Sequence, residues 1–187
     1  IDVSLVGSEM CIRDSSYAEL GELSDQVAFH LTNQYGIQSG DPVALVVERS
    51  EWMVISILGI LKSGAFYVPI DVNLPEERIQ FIVKDAEAKV VLHGDAFSKG
   101  DATAQFVHVS DVQKETNVSE SSSVLPNNDQ VAYCIYTSGT TGLPKGCLLS
   151  HANLNHYIHW ANEYYYDEND EPANWALITS IAFDLTV

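Results

Sequence analysis

Val131-Ala-Tyr-Cys-Ile-Tyr-Thr-Ser-Gly-Thr-Thr-Gly-Leu-Pro-Lys-Gly146 runs from an apolar segment into a glycine-rich loop. Val131 to Tyr136 reads as a strand, and Tyr136 to Gly146 contains what a loop needs in order to grip phosphate. Gly139, Gly142 and Gly146 allow backbone turns that expose N–H groups. Thr137, Ser138, Thr140 and Thr141 add hydroxyl donors, and Lys145 supplies the charge that neutral donors cannot. Lys145 is also the only Lys or Arg after Lys114. In a chain of formal net charge −17, general surface charging does not explain a lone cation at that position. The alternative, a Gly/Ser/Thr surface loop with no ligand, explains neither the strand that leads into it nor the complete donor set.

The spacing is not the nucleoside-triphosphatase pattern G-x-x-x-x-G-K-[ST]. Lys145 follows Pro144 and precedes Gly146 instead of a magnesium-binding hydroxyl, which argues against a kinase or GTPase. On the C-terminal side, Cys147 to Leu149 reads as a short strand, His151 to Tyr166 as a helix, Asp167 to Glu171 as an acidic turn and Trp175 to Thr179 as another strand. On the N-terminal side, the Ser- and Asn-rich stretch from Lys114 to Asp129 reads as an exposed connection.

Further upstream, Ser16-Tyr-Ala-Glu19 is a capping box that opens a helix, with Leu20, Leu23, Val27 and Leu31 at helical spacing and Gly36 at its end. Val43 to Val47 is apolar without alternation, as in a strand covered on both faces. Glu51 to Lys62 reads as a buried helix and Phe66 to Ile70 as a strand. Pro75 opens a further helix whose inner face is Ile79, Ile82, Val83 and Ala86, and Lys89 to Leu92 and Gln105 to Val109 are short strands. The alternation predicts the α/β class, with a mainly parallel sheet flanked by helices.

Composition excludes several classes. The charge of −17 and pI of about 4.4 repel nucleic acid and anionic membranes, so neither is an expected partner. The longest apolar run, Trp52 to Leu61, is too short to span a bilayer. Cys11, Cys134 and Cys147 are odd in number and form no C-x-x-C pair, which fits a reducing cytoplasm and neither a disulfide framework nor a zinc site. The chain opens at Ile1 and closes at Val187 inside the apolar run from Ile181, so it reads as a fragment. Val3 to Ser15 resembles a translated sequencing adaptor, and residues 1–15 are expected to be non-native, with residues 16–187 forming one incomplete domain.

YTSGTTGLPKG from Tyr136 to Gly146 resembles the signature of the adenylate-forming (AMP-binding) superfamily of acyl-CoA synthetases, luciferases and nonribosomal peptide synthetase adenylation domains. Ser16-Tyr-Ala-Glu-Leu20 resembles that family's opening motif, and Leu61-Lys-Ser-Gly-Ala-Phe-Tyr-Val-Pro-Ile-Asp71 with Pro75-Glu-Glu-Arg78 resembles its second. The second motif and Phe183-Asp184-Leu185-Thr186 are most similar to the amino-acid-activating domains. The resemblance implies the front part of the large N-terminal subdomain of an acetyl-CoA synthetase-like fold. It further implies ATP and Mg²⁺ as cofactors, an aminoacyl adenylate as product and a phosphopantetheine-bearing peptidyl carrier domain in the same chain as partner. Thr137, Ser138, Gly139, Thr140, Thr141, Gly142 and Lys145 are then the nucleotide-binding residues, with Lys145 catalytic and no metal ligands assigned.

By the same resemblance Asp184 holds the substrate's α-ammonium. An acidic group beside a carboxylate pocket would pair with an amino acid and oppose a fatty acid. A turn or helix-cap aspartate is its plainer reading. The family's adenine-binding segment, ribose-binding aspartate and C-terminal lysine would lie beyond Val187, so the chain alone is expected not to turn over. The alternatives are another adenylate-forming ligase, either a D-alanine–carrier protein ligase or an acyl-CoA synthetase, or a non-catalytic nucleotide-binding module.

Other constellations are weaker. His156, His159 and Glu163 share a helix face but lack a fourth metal ligand. Trp160 and Tyr164 to Tyr166 lie among acids that would repel a nucleic-acid backbone, so they are expected to pack. Cys134 and Cys147 read as small core residues, and no Ser-His-Asp arrangement can be placed.

Overall fold

The computed structural model describes residues 2–4, 14–97, 104–114, 126–138, 143–165 and 181–182. Strands β1 (Asp2–Ser4) and β2 (Asp14–Ser16) form a separate antiparallel ribbon. Helix α1 (Tyr17–Asn33) follows, and its capping box forms as the sequence predicts. The Ser16 hydroxyl accepts from the Glu19 N–H at 3.2 Å, and the Glu19 carboxylate accepts from the Ser16 N–H at 3.3 Å.

The main sheet is built from β3 (Pro42–Val46), β4 (Phe66–Pro69), β5 (Val90–His93), β6 (Gln105–His108), β7 (Val131–Ser138) and β8 (Pro144–Ser150), in the order β6-β5-β3-β4-β7-β8. Each adjacent pair from β6 to β7 is parallel, and β8 closes one edge antiparallel to β7. Helices α2 (Glu51–Lys62) and α3 (Glu76–Asp85) are the crossovers from β3 to β4 and from β4 to β5. A 3₁₀ turn (Val109–Lys114) follows β6, and α4 (His151–Tyr165) follows β8.

The β3 run is continuously apolar because both of its faces are covered. Val43 and Leu45 pack with Val27 and Leu31 of α1 and Met53, Ile55 and Ile60 of α2. Ala44 and Val46 face the opposite layer, where Ile79, Ile82 and Val83 of α3 pack. At the α1–α2 contact, a Cβ on Gly59 would collide with Val27, so only glycine fits this crossing without displacement. Lys62 fastens the same pair of helices, its ammonium donating to Asp25 at 2.7 Å and to the Ser24 hydroxyl at 2.7 Å.

β7 meets β4 at Tyr67 and Tyr133, whose rings stack at 5.5 Å and 22°. From this neighbouring pair the chain leaves in opposite directions, from β4 back across β3 to β5 and from β7 outward to β8. Such a divergence at the carboxyl ends of parallel strands is where open α/β sheets place ligand crevices. The glycine loop follows β7 at this point.

Candidate phosphate-binding hairpin

The loop's arms are more regular than the sequence suggests. β7 continues through Thr137 to Ser138, and β8 starts at Pro144 rather than at Cys147, so the two arms pair as a hairpin. Pro144, Lys145 and Gly146 read as part of the loop, but cross-strand pairing with the apolar β7 outweighs local preference, and Pro144 at a strand's first residue needs no N–H partner. Tyr136 lies opposite Gly146, Thr137 opposite Lys145 and Ser138 opposite Pro144.

Directly opposed residues share a face of the sheet, so Thr137 and Lys145 stand side by side, and both are exposed. Among the described residues, no carboxylate lies within ion-pair distance of Lys145. A hydroxyl and an ammonium with no ion-pair partner among the described residues are thus presented together beside the loop, a pair able to bind an anionic oxygen. Gly139, Thr140, Thr141 and Gly142 of the loop, and Asp184, lie outside the described residues. The expected strand Trp175 to Thr179 and the acidic turn Asp167 to Glu171 lie outside them too.

The opposite face forms the base of the hairpin. A Cβ on Gly146 would come within 2.8 Å of the Cys134 sulfur and 3.2 Å of the Tyr136 ring, so these side chains occupy the space above the glycine backbone. The Tyr136 hydroxyl donates to Asp85 Oδ2 at 2.7 Å. Burial raises the Tyr136 pKa and the Asp85 hydrogen bond raises it further, so the phenol remains a donor throughout the neutral range. Burial also pushes the Cys134 thiol up to about 11, which leaves it inert at neutral pH. Cys147, in contrast to the expectation of a core residue, is exposed. It pairs with buried Ile135 and shares its face of the sheet, but it stands on the edge strand, which is exposed on both faces at Cys147 and Leu148.

The His-x-Asn sequence after the hairpin is structural. Asn153 Oδ1 accepts from the Ser150 N–H at 3.0 Å and from its hydroxyl at 2.8 Å, closing the start of α4. His151 is buried there, which lowers its pKa and keeps it neutral. His159 and Glu163 approach at 3.5 Å, both largely exposed, and no group of three or more potential ligands for a metal occurs among the described residues. The expected packing of the α4 aromatics takes another form: Trp160 stacks on Tyr164 at 5.4 Å while both remain exposed.

One arrangement escaped the sequence reading. Asp95, His108 and Ser110 come together, with His108 Nε2 to Asp95 at 3.0 Å and Nδ1 to the Ser110 hydroxyl at 2.7 Å. The Ser110 N–H donates to the same Nδ1 at 3.2 Å, so the contact closes a local turn after β6, at the sheet edge farthest from the hairpin. No sequence signal marks it, because Asp95 joins from the end of a different strand.

A mainly parallel α/β sheet with its glycine loop at a carboxyl-end divergence is the architecture of nucleotide-binding domains. The chain belongs to the AMP-binding enzyme family, whose profile matches residues 7–187. It is 37% identical over 175 residues to surfactin synthase subunit 1 of Bacillus subtilis, covering 94% of this chain and 5% of that protein. With bacitracin synthase 3 of Bacillus licheniformis it shares 40% identity over 174 residues, 92% of this chain and 3% of the relative. The chain therefore spans only a small part of the curated relatives it matches.

Its fold is similar to the N-terminal subdomain of Klebsiella oxytoca NpsA in complex with 3-hydroxyanthranilyl-AMSN. The TM-score is 0.80 at 26% identity, over 97% of this chain and 44% of that one. AB3403, a four-domain nonribosomal peptide synthetase bound to AMP and glycine, aligns with a TM-score of 0.79 at 30% identity, over 92% of this chain and 13% of that one. The expected family and fold class are thus found, and no helix among the described residues is long and apolar enough to cross a membrane.

Proposed function

We propose that the protein carrying this chain activates an amino-acid carboxylate with ATP, forming an aminoacyl adenylate. The observation that carries this reading is the Thr137–Lys145 pair across the hairpin, a hydroxyl beside an ammonium with no described carboxylate to neutralise it. A carboxylate oxygen attacks the α-phosphorus, the bond from that phosphorus to the β-phosphate oxygen breaks, and pyrophosphate leaves. Lys145, the hydroxyls of Thr137, Ser138, Thr140 and Thr141, and the N–H groups around Gly139 and Gly142 hold the β- and γ-phosphates in line and offset the charge that grows on the leaving group. Lys145 is the catalytic residue of this set.

The described donors, hydroxyls and one ammonium, suit phosphate oxygens rather than a dedicated metal cage. Mg²⁺ would be held chiefly by the nucleotide phosphates themselves and would supply charge neutralisation there. Asp184 pairs with the substrate's α-ammonium and sets the preference for an amino acid. The acyl group then passes to the phosphopantetheine thiol of a peptidyl carrier domain in the same polypeptide; the synthetase relatives support this reading, and the artificially fused adenylation–carrier didomain NpsA-ThdA among the structural neighbours supports a carrier protein as the partner. Exchange is assigned to the longer protein, and the 187-residue chain alone is expected to give none.

A second reading, activation of a carboxylic acid without an α-amine, has one observation in its favour: NpsA also has a structure in complex with 3-hydroxybenzoyl-AMSN. The test is ATP–pyrophosphate exchange by the full-length protein with a panel of amino acids, D-alanine, aryl acids and fatty acids. Exchange driven by proteinogenic amino acids alone is the expected result. Exchange with D-alanine alone, or with acids that lack an amine, would transfer the chain to another ligase class, and none with any acid would leave a nucleotide-binding module.

A further inference from the structure

We infer that Asp85 is a positioning residue for the phosphate-binding loop, acting through the Tyr136 hydroxyl. The inference rests on the proposed function and adds to it a residue 51 positions upstream of the loop's first residue, with no place in the glycine motif.

Three features of the structure lead to it. The first is the hydrogen bond itself, 2.7 Å from the Tyr136 hydroxyl to Asp85 Oδ2, made immediately before Thr137 and Ser138. The second is the place of the Tyr136 ring, close above the Gly146 backbone on the arm that carries Lys145. One aromatic side chain therefore touches both arms of the hairpin two residue pairs from the loop, and fixing its hydroxyl ties both arms to α3. The third is the place of Asp85, the last residue of α3. A carboxylate in a helix's last turn opposes the helix dipole, so the stability of α3 alone does not account for it. Its hydrogen-bonded partner does.

The chemical consequence follows from geometry. The phosphates are held by backbone N–H groups and short hydroxyls, which reach a ligand only if the arms are preset. A loop less firmly held to α3 has to be ordered when ATP binds, at a cost that appears in ATP affinity and leaves the amino-acid pocket unaffected. Asp85 is bonded from a helix on one face of the sheet, so α3, itself the crossover between β4 and β5, becomes the fixed support of the loop.

The experiment is ATP–pyrophosphate exchange by the full-length protein with Tyr136→Phe, Asp85→Ala, Asp85→Asn and the Tyr136→Phe/Asp85→Ala double variant. Tyr136→Phe keeps the ring over Gly146 and removes only the hydroxyl. Each of Tyr136→Phe and Asp85→Ala should raise the KM for ATP about fivefold, the scale of one lost hydrogen bond to a charged group at a partly exposed site. The KM for the amino acid should stay within about twofold. The double variant should be no worse than either single, as expected of partners in one interaction, and Asp85→Asn, which retains an acceptor, should fall between wild type and Asp85→Ala.

An unchanged KM for ATP in Tyr136→Phe, with the wild type active, overturns the inference and leaves the proposed function standing. Additive losses in the double variant, or a loss of thermal stability with no change in KM, likewise reduce Asp85 to a structural residue. A wild-type protein without exchange sinks both. If Asp85→Ala fails to fold, Tyr136→Phe and Asp85→Asn carry the test.

Discussion

At the scale of single residues, the hairpin separates its chemistry by face. Thr137 and Lys145 share one side, while Tyr136, Gly146 and Cys134 are packed together on the other, so polar and packing roles do not compete for the same positions. The two described thiols differ in the same way. Cys134 is buried with its pKa pushed up to about 11, whereas Cys147 is exposed. Maleimide at pH 7.5 should therefore label Cys147 in the native protein and spare Cys134 until denaturant is added. Peptide mapping by mass spectrometry separates both from Cys11. Equal labelling of Cys134 and Cys147 before unfolding would contradict the packing described at the hairpin base. The donors of the proposed site could be named from the sequence because glycine, hydroxyl and ammonium chemistry is written in residue type. Asp85 was not, because a contact across 51 positions leaves no local pattern.

At the scale of elements, the helices were read almost to the residue. The Ser16–Glu19 capping box and the bounds Glu51 and Lys62 depend on neighbours a few positions away, which the sequence displays. β8 was read too short because its pairing with β7 is a nonlocal effect that recruits Pro144, Lys145 and Gly146. The aromatics of α4 were expected to pack, and among the described residues they stack on one another while remaining exposed. The α1–α2 crossing offers a test of packing at this scale. Replacing Gly59 by Ala gains about 1 kcal/mol of helix propensity, yet its Cβ would meet Val27 and approach the Ser24 carbonyl oxygen at 3.0 Å. Overpacking costs of about 1–3 kcal/mol outweigh the gain, so Gly59→Ala should lower the urea midpoint. A higher midpoint would mean that the helices are not in contact there.

At the scale of the molecule, a chain of net charge −17 that is to hold a triphosphate needs a site whose local field opposes the global one. The doubly wound sheet offers such a place at the divergence of β4 and β7, and in the proposed function Lys145 supplies the charge. Fold class and family were legible because strand–helix alternation and the loop motif survive in a chain that spans 5% of surfactin synthase subunit 1. Substrate identity was not, since Asp184, the one pocket contact proposed, lies outside the described residues. The central claim is that Lys145 carries the triphosphate grip of an adenylating enzyme. Amino-acid-dependent ATP–pyrophosphate exchange in the full-length protein, wild type against Lys145→Ala, tests it most directly. The rate should fall on the order of 10²-fold with an unchanged circular dichroism spectrum, the scale of a lost charge-stabilising contact in a transition state. An equal rate in the two proteins would contradict it.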